Sequence, residues 1–160
     1  MNFRRFISSM PLILILIGID QLSKSYFIMF LKNKVSLTHK VTSFFSLVYA
    51  WNYGISFGLF SEYLHHSNYA FLIINCLIVG YLIAIHNSST SGLMRVAISF
   101  IIGGALGNLI DRVARGAVFD FVSLHYGSYS FPAFNLADSF INFGVLLFAI
   151  TLFQARKRSP

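Results

Sequence analysis

The chain has 160 residues, of which 56% are hydrophobic and 11% charged, with a formal net charge of +7 and a mean hydropathy of +0.71. That balance excludes an ordinary soluble domain, in which about a quarter of the residues are charged. A lone cysteine, Cys76, excludes an intrachain disulfide and a thiolate metal site, and the positive charge, gathered at the termini and at the ends of apolar runs, points to lipid headgroups rather than nucleic acid.

Arg4 and Arg5 precede an apolar run from Pro11, a pattern that superficially matches the start of a secretory signal peptide. No small-residue cleavage site follows, however, and the run continues through Asp20 and Lys24 to Leu31, long enough for a full span. A first transmembrane helix is therefore expected over 11–31. Asp20 and Lys24 are four apart, so they share a helix face and are expected to pair there, toward the bundle interior.

Residues 32–68 are too polar to cross a membrane. Within them, 41–60 are rich in β-branched and aromatic residues around Asn52 and Gly54, which predicts strands about a turn centred there. An open sheet edge cannot face lipid, so this β-rich segment belongs on the membrane surface, with Tyr49, Trp51, Tyr53 and Phe57 as an interfacial belt. Further spans are expected over 69–85, 93–110 and 137–153. The second and third are joined by a short polar turn, and the third ends in Gly103, Gly104 and Gly107, small residues that admit a close neighbour. Cys76 reads as packing within its span. The five histidines all fall outside the predicted spans, and His65-His66 lacks a third ligand for a metal. The fold class expected is an all-α membrane protein of four transmembrane helices, with a small extracytoplasmic β-rich segment between the first two, forming one integral-membrane domain.

With four spans both termini share a side. Arg4, Arg5, Arg95, Arg156, Lys157 and Arg158 lie there, against Lys32, Lys34, Lys40, Arg112 and Arg115 on the other, and the terminal clusters abut their spans closely. Both termini are expected in the cytoplasm, with the 111–138 connection outside.

That connection holds three of the chain's four aspartates, Asp111, Asp120 and Asp138. No serine or cysteine has a base at a recognisable spacing, which leaves acid–base chemistry by paired carboxylates: one takes a proton from water while the other protonates the leaving group. Asp111, followed at once by Arg112, reads as locked in an ion pair with it. Asp120, flanked by Phe119 and Phe121, and Asp138, at the entry to an apolar helix, are the pair that their surroundings favour.

The set Asp20-Gln21 with Lys24, Asn52-x-Gly54 with Phe57-Gly58, Gly104-Ala105-Leu106-Gly107-Asn108-x-x-Asp111-Arg112, Val118-x-Asp120-Phe121 and Phe134-Asn135-x-Ala137-Asp138 closely resembles bacterial lipoprotein signal peptidase, or signal peptidase II, over nearly the whole chain. The resemblance implies an aspartic endopeptidase of the bacterial inner membrane that cuts diacylglyceryl-modified prolipoproteins just before the lipidated cysteine. It implies Asp120 and Asp138 as the catalytic dyad. Asn108, Asp111, Arg112 and Asn135 match polar residues that shape the site, and Asp20, Lys24, Asn52 and Gly54 match supporting positions. Ile55-Ser56 depart from the family pattern after Asn-x-Gly. No cofactor or metal is implied; the partners would be the lipoprotein substrate and membrane lipid, with the enzyme a monomer that binds no nucleic acid. A transporter would spread its acids through the membrane depth, whereas here three gather at one side. The Gly-x-Gly-Asp signature of presenilin-type proteases is absent.

Overall fold

The computed structural model describes residues 3–32, 36–54, 67–89, 91–127 and 129–158. In chain order these form α1 (Phe3–Lys32), β1 (Thr38–Lys40), β2 (Phe45–Asn52), α2 (Ser67–Ser88), α3 (Gly92–Arg115), β3 (Val118–Tyr126), β4 (Tyr129–Ser130) and α4 (Leu136–Arg158). The four helices are each long and apolar enough to cross a membrane. All extend past the predicted limits. The first begins at Phe3 and carries Pro11 in its interior rather than at its start.

The apolar runs form helices because in hydrocarbon every backbone N–H and C=O must be satisfied within the segment. Much of their outer surface is large and apolar: Leu22, Met29 and Leu77 are each more than two-thirds exposed. Cys76 is exposed on α2, so it lies on this lipid-facing surface and not in packing between helices. α3 is the central helix, in contact with each of the other three. Its capping is clear at both ends. Ser91 accepts from the Met94 amide at the start, and Gly116, at φ 79°, closes the end with its N–H on the Arg112 carbonyl. Only glycine takes that left-handed conformation without strain.

Small residues set how closely α4 approaches α3. A Cβ on Gly104 would collide with the Ala137 carbonyl oxygen, and one on Gly144 would stand 2.7 Å from the Ala97 carbonyl oxygen. Neither obstacle is a side chain that can turn away. Gly104→Ala is therefore expected to cost about 1–3 kcal/mol, as overpacking does, read as a lower thermal midpoint in detergent; an unchanged midpoint would contradict the close crossing.

The sheet departs from expectation in its origin. Its order is β1-β2-β3-β4, so β1 and β2 from the first connection pair with β3 and β4 from the last. The turn between the first two strands falls at 41–44, not at Asn52 and Gly54, because β2 runs on to Asn52 to pair with β3. Ala50 stands opposite Asp120, and Asn52 opposite Val118. The sheet rests on the end of α1 through Leu31, Phe119 and Phe121, with Phe27 stacked on Phe121 at 4.5 Å. Tyr49 and Trp51 turn inward onto Phe119, each with its ring centre 5.1 Å away, whereas Tyr53 is exposed. Phe57, Gly58, Ile55, Ser56, Lys34, Glu62, His65 and His66 lie outside the described residues.

The opposite end of the bundle is closed by polar contacts. Arg5 donates to the Ser89 carbonyl at 2.9 Å, and the Ser9 hydroxyl meets His86 Nε2 at 2.9 Å. His86 thus belongs to the last turn of α2, fully buried, instead of lying beyond the span as its sequence position suggested.

Candidate active site

Two layers of polar side chains meet where the sheet joins the bundle. The inner layer centres on Lys24. Its ammonium has three N–H donors and no acceptor. Three partners surround it: Asp20 at 2.8 Å, Asp111 at 3.0 Å and the Asn108 carbonyl oxygen at 2.9 Å. Asp20, Lys24 and Asp111 are all completely buried. Charges taken that far from water persist only when paired and fully hydrogen-bonded. Asp20 is satisfied further by the Ala137 amide, at 3.0 Å. The remaining needs of Asp111 are met by the Phe119 amide, Gln21 and Arg115.

The expected Asp111–Arg112 pair is replaced by Asp111 with Lys24 and Arg115. Adjacent helical residues point about 100° apart, whereas residues four apart face one another, and Arg115 is four after Asp111. Arg112 instead reaches the Gly54 carbonyl at 3.1 Å and lies over the Phe71 ring at 4.8 Å, tying the end of α3 to the turn beyond β2. Gly107 permits the inner layer to form: a Cβ there would stand 2.6 Å from Asp20 Oδ2.

The outer layer holds Asp120 and Asp138, and Asn135 joins them. Asn135 is the N-cap of α4, and its side-chain Oδ1 accepts from the Asp138 amide at 3.0 Å. In return, Asp138 Oδ2 accepts from the Asn135 backbone amide at 3.2 Å. This reciprocal box satisfies orphan donors of the first turn and holds the Asp138 carboxylate in one orientation. The Asn135 side-chain amide then donates to Asp120 Oδ1 at 2.7 Å. Asn108 links the layers. Lys24 can only donate, so the Asn108 carbonyl must face it and the Asn108 NH2 must face away, toward Asp138 Oδ1 at 2.8 Å.

Asp120 comes from β3 and is buried, while Asp138 is half-buried. Burial, and then the neighbouring Asp138 charge, push the Asp120 carboxyl up to about 7, against donors from Asn52 at 3.1 Å and Asn135 that favour its anion. Asn52 is itself oriented by the Gly54 amide, which donates to its Oδ1 at 3.1 Å. Beside Asp138 opens an apolar groove of ≈ 470 Å³ walled by Leu124 of β3, the 131–134 connection and α4.

Every site residue picked from the sequence therefore falls into one connected network: Asp20, Lys24, Asn108 and Asp111 inside, Asn52, Asp120, Asn135 and Asp138 outside, and Gly54 and Arg112 at the margin. Gln21, quoted above only within its motif, and Arg115, counted above only among the bases, join this network without having been named as site residues. Their signal was present, since Gln21 is a polar residue within a span and Arg115 stands one helical turn from Asp111. Among the described residues no three His, Cys, Asp or Glu side chains are grouped to hold a metal.

Four helices of membrane length, meeting a small sheet over a network of carboxylates and amides, define a multi-pass membrane protein with one candidate active site among the described residues. The chain belongs to the signal peptidase II family: the family described as Signal peptidase (SPase) II matches residues 12–154. It is 52% identical to a lipoprotein signal peptidase of Rickettsia bellii, covering 95% of this chain and 78% of that protein. It is 53% identical to the corresponding Rickettsia felis protein, over 95% and 77%. A solved bacterial membrane enzyme superposes with a TM-score of 0.80 at 31% identity, over 96% of this chain and 92% of the other.

Proposed function

We propose that the chain, working as one integral-membrane peptidase domain, removes signal peptides from diacylglyceryl-modified prolipoproteins by cutting just before the lipidated cysteine. The observation that carries the dyad is Asn135, whose backbone amide and side-chain amide hold Asp138 and Asp120 respectively. Asp138 accepts a proton from the attacking water while Asp120, protonated, hydrogen-bonds the scissile carbonyl and later gives its proton to the departing amine. Asn108, Asn52 and Asn135 position the two carboxylates. Lys24, Asp20 and Asp111 form the rigid base that orients Asn108. Arg112 and Gly54 fix the turn beside the site.

The site faces the exterior of the inner membrane in this reading, with both termini cytoplasmic. Arg112 and Arg115 are engaged by Gly54 and Asp111, which removes them from the count of bases that orient the chain and leaves the terminal clusters dominant. Scissile bonds presented there meet water while lipid tails and signal helix stay in the bilayer. The substrate and surrounding lipid are its partners; it acts as a monomer, with no role for nucleic acid.

The test is cleavage of a synthetic lipobox peptide bearing a diacylglyceryl cysteine by the purified protein in detergent, beside the same peptide without lipid. Cleavage before the modified cysteine alone is expected, and no cleavage by folded protein would overturn the reading.

The assignment of the proton to Asp120 has a pH signature. As pH rises through about 7, Asp120 ionises and the acid is lost, so kcat/KM should fall on the alkaline side. Asn52→Leu removes a donor that favours the Asp120 anion, so this alkaline limb should move up by about 1 unit, the size expected for a hydrogen bond to a charged group. A pH profile whose limb stays in place or moves down would refute this.

A further inference from the structure

Asn142 is a polar side chain that the network above leaves unused. It stands four residues after Asp138 on α4, about 6 Å further along the helix axis at 1.5 Å per residue. Its neighbours in sequence, Phe140, Ile141, Phe143 and Gly144, are apolar, and its side chain is exposed. An amide facing hydrocarbon is unfavourable, because lipid tails offer its N–H and C=O no partner. The structure supplies another neighbour: Asn142 lines the groove beside the dyad, together with Asp138, Leu124, Phe131, Pro132 and Ile141.

An amide in an apolar groove, one turn deeper than a reacting carboxylate, suits a polar group that the substrate carries to that depth. The signal segment there is helical and its backbone groups satisfy one another. The ester carbonyls of a diacylglyceryl group are acceptors only and bring no donor of their own. The thioether and glycerol carbons that separate them from the scissile bond span a comparable length. Leu124, Phe131 and Ile141 offer apolar walls to the chains beyond.

We propose that Asn142 donates a hydrogen bond to an ester carbonyl of the substrate's diacylglyceryl cysteine, and so makes the enzyme prefer a diester over a lipid anchor without carbonyls. This rests on the reading above that the substrate is lipid-modified. Asn142 is a substrate-contacting residue for specificity, separate from the acid–base pair.

The experiment compares two synthetic lipobox peptides of equal chain length, one with a diacyl and one with a dialkyl ether glyceryl group on cysteine. Wild-type protein should show a KM about fivefold lower for the diester, in the range of one neutral hydrogen bond. Asn142→Leu should raise the diester KM to the ether value, with kcat for both within about twofold. Asn142→Ser, which retains a donor, should keep part of the preference. Equal losses on both substrates, or an undiminished preference in Asn142→Leu, would overturn the inference. So would a wild type that cleaves both alike, although the proposed function would then stand. A folded wild type that cleaves neither would overturn the proposed function and this inference with it.

Discussion

Asp120→Asn and Asp138→Asn are each expected to lower kcat/KM for a diacylglyceryl lipobox peptide by roughly 10³-fold or more, the upper part of what positioned acid–base groups contribute. Both substitutions conserve size, so the loss should appear without unfolding. At Asp120 the replacement amide still offers one oxygen to the donors of Asn52 and Asn135, where the carboxylate offers two. At Asp138 the capping box loses at most one of its two bonds, because Asn135 continues to cap the Asp138 backbone amide. The double variant should be scarcely worse than either single one, since two groups that act as one catalytic unit are not additive. A single variant that retained wild-type turnover would remove the dyad from the mechanism.

Lys24→Met should produce the largest loss of stability. It leaves Asp20 and Asp111 completely buried, Asp20 without its cation and Asp111 with Arg115 alone. Breaking a buried ion pair by removing one partner costs about 3–5 kcal/mol. Thermal unfolding in detergent is the measurement, and a midpoint equal to wild type would show that the inner layer is not holding the bundle. Activity should fall as well, because Asn108 loses the partner that orients its amide toward Asp138. Combining Lys24→Met with Asp20→Asn should recover part of the stability, since the pair is then removed together.

The helices were legible because apolar runs of membrane length admit almost one structure. The members of the polar network were legible from their motifs, and the Asp20–Lys24 contact from its spacing of four. What the sequence concealed was pairing at a distance. Nothing in residues 116–130 states that this stretch will lie beside Phe45–Asn52, yet that is what brings Asp120 against Asn52. The turn misplaced at Asn52 has the same cause: a strand end set by a distant partner looks, locally, like a hairpin. Asp111 illustrates the opposite error. Adjacency in the chain suggested Arg112, whereas helical geometry selects Arg115 and a second helix supplies Lys24. His86 and Cys76 exchanged their expected surroundings because helix rotation, which settles what is buried, is not encoded in hydrophobicity alone.

The sheet that joins the first connection to the last has a consequence for biosynthesis. Asp20, Lys24 and Asn52 leave the ribosome early, while Asn108, Asp120, Asn135 and Asp138 come from the second half of the chain. A nascent chain holding three helices has the lysine and the first strands, but neither the cap of α4 nor Asp138. The polar network therefore closes only once the last helix has entered the bilayer beside α3, so under the proposed function a half-synthesised chain would carry no working blade into the membrane where other chains are being inserted.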